Sequence, residues 1–309
     1  VVGEIDHFKR AAHGVPDWFR DDKAIVEEGF DNTLFGQEAV KQIKAHDTSK
    51  PLFLYLAFTA PHTPFQAPQA YLDRYASISD PNRRAYAAMI SVMDDEIGNV
   101  LAALDEKRMR DNTLIVFQSD NGGVESAAFA GDTPVAGSLP ADNGPYRDGK
   151  GTTYEGGTRV VAFANWPGNI KPRTVSEVTH TVDWYPTFAN LAKARLEKNK
   201  PLDGVNVWPT ITAGQATSRK ELVYNIEPTG GAIREGDWKL IWQAALPPKV
   251  ELFNIARDPS EKRDLSAANP KIVERLQKRM IELSKQAAPP LLVGEAIKLT
   301  FFVPPTIPQ

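Results

Sequence analysis

A chain of 309 residues with 42% hydrophobic and 24% charged side chains is long enough to bury a sizeable core and too apolar to be a disordered tract. Its formal net charge of −3 excludes a basic field that would gather nucleic acid or an anionic membrane. Cysteine is absent, which removes disulfides, thiolate metal sites and a cysteine nucleophile from these residues.

No stretch approaches the roughly 20 apolar residues of a membrane span. The opening "VVGEIDHFKRAAHG" lacks the basic flank, apolar region and cleavage site of a signal peptide. It starts with Val, and its first ~30 residues show no apolar period, so a processed chain or a fragment is expected.

In "LFGQEAVKQIKAH", Leu34, Phe35, Ala39, Val40 and Ile43 share one helical stripe, and "TSKP" ends it. "PLFLYLAF", residues 51–58, is short, apolar and aromatic-rich, as a strand covered on both faces would be. The proline-interrupted "TAPHTPFQAP" then reads as a loop leaving that strand's carboxyl end. From Asn82 to Lys107, Tyr86, Met89, Ile90, Met93, Ile97, Val100, Leu101 and Leu104 recur at helical spacing after the start signal "SDPN". "TLIVFQSDNGG" gives a further buried-type strand and another loop, so strand, helix and strand form a crossover unit of a largely parallel sheet.

Residues 122–158 are rich in Gly, Pro, Ser, Asp and Thr without an apolar face, a loop length that is usually functional or mobile. "RVVAFANWPG" resumes as a strand, and "HTVDWYPTFANLAKA" reads as a helix with Asp183 as its cap. From about Lys220, "ELVYNI", "GAIREGDWKLIWQ" and "VELFNI" are short strands followed by the helix "NPKIVERLQKRMIELSKQ". That pattern predicts a small antiparallel sheet with one packed helix, and a division into residues 1–215 and a C-terminal α+β subdomain, 216–309.

In open α/β sheets, ligands bind outside the carboxyl ends of strands, where both loops after the first two strands lie. Asp120 and Asn121 offer a carboxylate and an amide carbonyl, hard oxygen donors suited to Ca²⁺ or Mg²⁺, with glycines that let backbone approach an ion. Taken alone, "SDNGG" reads first as a tight turn. His62 suits a general acid or an oxyanion partner, and equally a loop hydrogen bond. Lys150 and Arg147, in "PYRDGKGTTYEGG", suit a sulfate or phosphate oxygen, with solvated side chains as the plainer reading.

The ordered set "PLFLYLAFTAPHTPFQAP", "RAYAAMISVMDDEIGNVLAAL", "TLIVFQSDNGG", "GPYRDGKGTTYEGGTR", "TVDWYPTFANLAKA", "PLDGVNVWPTI", "AIREGDWKLI" and "ELFNIARDPSEKRDLS" resembles the sulfatase family, most of all its arylsulfatase B (N-acetylgalactosamine-4-sulfatase) type, from about Phe30 to Leu283. The resemblance implies an alkaline-phosphatase-like α/β fold: a mixed, mainly parallel sheet between helices with a smaller C-terminal antiparallel-sheet-plus-helix subdomain. It implies hydrolysis of sulfate esters of aryl groups or sugars, with Asp120 and Asn121 as metal ligands for Ca²⁺, His62 as the proton donor to the leaving oxygen, and Lys150 on the sulfate oxygens. Sulfatases attack sulfur with a formylglycine made from Cys or Ser in a C/S-x-P/A-x-R motif. Here no Cys exists, and "SLPAD" from Ser138 lacks the arginine. The family's first two metal-binding aspartates and its "GKWHLG"-like stretch are also unmatched, and in family order they belong upstream of Val1.

Activity is therefore expected when a formylglycine-bearing upstream portion is present. Two other readings stay open: a non-catalytic remnant that binds sulfated glycans, and a phosphoester or phosphonate ester hydrolase of the same superfamily. Export to a periplasmic, extracellular or lysosomal space is implied by the resemblance alone. Without the front of its sheet the chain should expose strand edges, so an upstream segment or a homo-oligomer is expected to cover them.

Overall fold

The computed structural model describes residues 6–9, 11–12, 15–131, 135–196, 201–227, 230–243 and 247–286. Helix α1 spans Asp31–Ala45, a short α2 spans Gln69–Arg74, and α3 spans Pro81–Glu106. The start of α3 follows from its sequence. Asp80 accepts the Arg83 backbone N–H at 2.8 Å, and Pro81 fills the first turn, where its missing N–H is no loss.

The buried face of α3 runs through Ala85, Ala88, Met89, Val92 and Glu96, with Ala103 and Leu104 further along. Small residues let α1 come close. A Cβ placed on Gly36 would stand 2.4 Å from Glu96 Oε2 and 2.6 Å from its Cβ, so Gly36 is what allows the two helices to touch there. Glu96 is buried in that contact, and burial pushes its carboxyl above the usual carboxylate range. Phe30, Ala67, Ala88, Met89 and Val92 form a core on which Phe65, Tyr71 and Leu72 pack, and this seats the 59–68 loop on α3.

Strand β1, Ile115–Gln118, pairs antiparallel with β2, Ala162–Asn165, placing Phe117 opposite Phe163 with their rings stacked at 4.9 Å. Residues 51–58, predicted as a strand, run without a ladder, and every ladder among the described residues is antiparallel. The reason is physical: a strand requires a neighbour in register to take its N–H and C=O groups. Phe53 and Tyr55 there are 77% and 83% exposed; Val161, just before β2, is 65% exposed, and Phe163 in β2 is 54% exposed although its backbone is paired.

The C-terminal part is an antiparallel meander of β3 (Glu221–Glu227), β4 (Gly230–Glu235), β5 (Trp238–Gln243) and β6 (Lys249–Asn254), with α7 (Pro270–Ser284) beyond it. The β4–β5 turn uses Gly236 at φ 56°, in the left-handed region that glycine enters freely. Strand alternation gives the sheet two apolar faces. Ile233, Leu240 and Leu252 pack on Leu276 and Met280 of α7. Ala232, Ile241 and Phe253 pack instead on Tyr154, from the long glycine-rich loop.

That loop carries the single helical turn α4, Glu155–Thr158. The helix predicted over residues 180–194 forms as α5, Trp184–Leu191, with a short α6, Trp208–Ala213, after it, but Asp183 does not cap α5. Asp183 closes a 3₁₀ turn instead, accepting from the His180 and Val205 backbone N–H groups at 2.8 Å each and pairing with Arg219. A guanidinium outbids the helix terminus for this buried carboxylate.

Candidate functional site

His62 and Lys150, 88 residues apart in sequence, meet in the structure: Lys150 Nζ lies 3.0 Å from His62 Nε2. His62 Nδ1 lies 2.8 Å from the Thr63 carbonyl, which can only accept. Nδ1 therefore bears the proton, and Nε2 offers its lone pair to the lysine ammonium. An oxyanion entering between them would find an ammonium donor and a ring nitrogen able to exchange a proton. Both side chains are half-buried, a setting that strengthens such contacts relative to open water.

The glycines of "SDNGG" hold this pair in place by contacts other than those foreseen. A Cβ on Gly122 would stand 1.7 Å from the Gly156 carbonyl oxygen, and one on Gly149 would stand 2.2 Å from that of Gly123. Here glycine serves backbone approaching backbone. Gly122 N donates to Gly157 O at 3.0 Å, and Lys150 N donates to Gly123 O at 3.0 Å. Asn143 locks the same corner, accepting from Gly123 N at 2.8 Å and donating to Gly123 O at 2.9 Å. Lys150 and the Asp120–Asn121 turn are thus parts of one cross-braced unit.

Asp120 is exposed; its Oδ1 accepts the Asn121 backbone N–H at 2.9 Å. Asn121 donates Nδ2 to the Gly122 carbonyl at 2.8 Å. That bond fixes which way the amide points and leaves its carbonyl oxygen out of this contact. Two such donors fit part of a Ca²⁺ shell, and six or more oxygens are usual. Among the described residues, no group of three or more His, Asp or Glu side chains is gathered as a metal site.

Arg147 faces elsewhere. Its guanidinium lies 3.9 Å over the Tyr154 ring, with Nη1 3.3 Å from both Glu251 Oε1 and the Glu261 carbonyl. Tyr154 donates its hydroxyl to Glu251 Oε2, and burial first, then this bond, pushes the phenol well above its usual value. The arginine fork therefore braces the loop against the C-terminal sheet, and none of its contacts is with His62, Lys150, Asp120 or Asn121. Ser138, the nearest imitation of a formylglycine precursor, donates its hydroxyl to Asp80 at the start of α3.

Two buried networks had no signal in the sequence. One joins His7, Asp31, Asn32 and Thr59 behind the His62 loop. The other buries Lys239 between Glu155 and Glu261, each carboxylate 2.9 Å from Nζ, and ties α4 to β5. Burial holds the Glu261 carboxyl above the usual range.

Known proteins resemble the chain over this same framework. A family model described as Sulfatase matches residues 7–194. The chain belongs to the sulfatase family. A second model, described as N-sulphoglucosamine sulphohydrolase, C-terminal, matches residues 147–286 of this sulfatase chain. Mouse arylsulfatase J is 34% identical over 336 residues, covering 92% of this chain and 54% of that protein. Human N-acetylgalactosamine-6-sulfatase is 34% identical over 195 residues, 62% of this chain and 34% of that protein. The sulfatase chain thus spans about half the length of curated relatives such as arylsulfatase J.

Among solved structures, Ps i-CgsB in complex with k-i-k-neocarrahexaose has a TM-score of 0.78 and 32% identity, covering 91% of this chain and 64% of that one. The phosphonate monoester hydrolase of Agrobacterium radiobacter, at TM-score 0.59 and 19% identity, shares the fold. The sulfatase chain accordingly has the alkaline-phosphatase-like fold, mixed helix and sheet with a C-terminal antiparallel sheet. None of its described helices is long and apolar enough to cross a membrane.

Proposed function

We propose that this chain supplies the sulfate-facing downstream half of a sulfuric ester hydrolase acting on sulfated sugars or aryl sulfates. The observation that carries the reading is the 3.0 Å contact of Lys150 Nζ with His62 Nε2, held beside the Asp120–Asn121 turn by the Lys150 N to Gly123 O bond. In this reading Lys150 neutralises the sulfate oxygens. His62, its Nδ1–H held on the Thr63 carbonyl, takes up a second proton at Nε2 from solvent before the ester binds and then passes it to the departing alcohol oxygen. Arg147 acts on the loop and not on the substrate.

Asp120 and Asn121 are two oxygen ligands of a Ca²⁺ site whose remaining donors lie outside residues 1–309. When bound, the ion would neutralise charge building on the transferring group. The nucleophile likewise comes from outside these residues. The exposure of Phe53, Tyr55, Val161 and Phe163 supports the reading that a further part of the polypeptide, or a second copy of the chain, covers this surface. Ps i-CgsB was solved with a neocarrahexaose, which supports a sugar, rather than an aryl group, as the part of the substrate that carries the sulfate.

The test is turnover of nitrocatechol sulfate by the chain joined to its formylglycine-bearing portion, before and after chelation and on re-addition of Ca²⁺. The reading expects metal-dependent sulfate release. Absence of turnover on this ester and on sulfated oligosaccharides alike would remove it.

A further inference from the structure

His7 is fully buried, in a turn for which the sequence offers no periodic reason. Its main chain is pinned at both ends: its N–H donates to Gln66 Oε1 at 3.0 Å, and its carbonyl accepts the Asp31 N–H at 2.9 Å. Its ring lies against Phe30, centroids 5.6 Å apart. Nδ1 is 2.8 Å from Asp31 Oδ2, and Nε2 is 3.0 Å from the His62 carbonyl oxygen.

Both partners are acceptors. The Asp31 carboxylate already receives the Asn32 backbone N–H at 2.6 Å and Nδ2 at 2.7 Å on one oxygen, and the Thr59 hydroxyl at 2.6 Å on the other. It has no proton of its own to give in such a shell. A carbonyl oxygen never donates. A neutral imidazole would turn a lone pair on one of these oxygens, in a site without solvent to relieve it. Only the doubly protonated ring satisfies both.

We propose that His7 is a positioning residue: a buried imidazolium, ion-paired to Asp31, whose Nε2–H grips the His62 carbonyl and fixes the His62 ring against Lys150. The rest of the network acts on the same loop. Asn32 Oδ1 accepts the Ala60 N–H at 3.0 Å, and Asp31 holds Thr59. Three successive points of the 59–62 segment are thus held from α1 and the His7 turn. The charged groups facing the ring are Asp31 from α1 and Asp6 from its own turn; the loop contributes the His62 main-chain carbonyl. Burial opposes the charge on His7, but the Asp31 bond and charge, with the His62 carbonyl and Asp6, outweigh it and raise the imidazole above its usual value.

Only the catalytic consequence rests on reading His62 as the leaving-group acid; the protonation state can be measured without it. Long-range proton–nitrogen correlation on the ¹⁵N-labelled chain at neutral pH should show both His7 nitrogens protonated, and they should stay so above the pH at which histidine in an unstructured peptide loses its proton. In Asp31→Asn the ring should release one proton at neutral pH, and the His62 ring signals should shift with it. In His7→Gln, which offers a single donor group, the His62 signals should shift at every pH. A single neutral tautomer of His7 in the wild-type chain would overturn the proposal, as would His62 signals unchanged in His7→Gln. If neither variant folds, the wild-type nitrogen shifts decide alone.

Discussion

Two regions of this molecule treat apolar sequence in opposite ways. In the β3–β6 meander both faces are covered, one by α7 and the other by Tyr154 of the site loop, and Ile233, Leu240, Ile241 and Leu252 are fully buried. At residues 51–58 and at β2 the sequence is as apolar, yet Phe53, Tyr55, Val161 and Phe163 face outward. The same residue types are buried in one region and lie on the surface in the other. Apolar composition predicts burial only where the structure supplies both faces.

Substitutions should separate the two regions, and the largest effect is expected at Lys239. Removing its ammonium in Lys239→Ala leaves Glu261 buried without its cation and Glu155 with only the half-exposed Arg159, 3.7 Å away. Breaking such a pair costs about 3–5 kcal/mol, readable as a shift of the urea midpoint; a loss below 1 kcal/mol would mean that the cluster is solvated. Leu252→Ala, in the two-faced sheet, should cost about 2–5 kcal/mol by the same measurement.

A smaller effect is expected from pH. The folded-state pKa of His7 is raised, so the stability its charge contributes is complete below the ordinary value of 6.5 and is lost as pH rises through the folded value. The stability difference between the wild-type chain and His7→Gln should therefore shrink on going to alkaline pH, and a difference that is flat or grows would contradict the sign. The smallest effect belongs to the exposed region. Phe53→Ala and Tyr55→Ala should change stability by no more than about 0.5 kcal/mol in the chain alone, and their backbone amides should exchange with solvent far faster than those of β5. Equal protection of the two regions would erase the distinction between them.

Local period made the long helices legible. The apolar spacing and "SDPN" locate α3 to within a residue or so at each end, and the C-terminal strands and α7 emerge where their patterns stand. What was illegible depends on distant partners. "PLFLYLAF" has a strand's composition, but a ladder needs a second segment that no local pattern supplies. Asp183 looked like a cap until Arg219, 36 residues on, claimed it. The Arg147 fork suits an oxyanion or a carboxylate equally, and Glu251 lies 104 residues away. His7 carried no signal because its meaning depends on Asp31 and on a main-chain oxygen at His62. The ordered motifs, by contrast, brought His62 and Lys150 to notice together, and the structure sets them in contact.

The pairing of Lys150 with His62 is the centre of the proposed function, and the most direct measurement is kcat/KM for nitrocatechol sulfate in the joined protein with Lys150→Ala, beside Arg147→Lys as the bracing control. Losing a donor aimed at developing charge costs about 100-fold or more, so Lys150→Ala should fall by at least that factor while Arg147→Lys keeps most of its turnover. A Lys150→Ala protein with near wild-type kcat/KM, folded by its urea transition, would contradict the account.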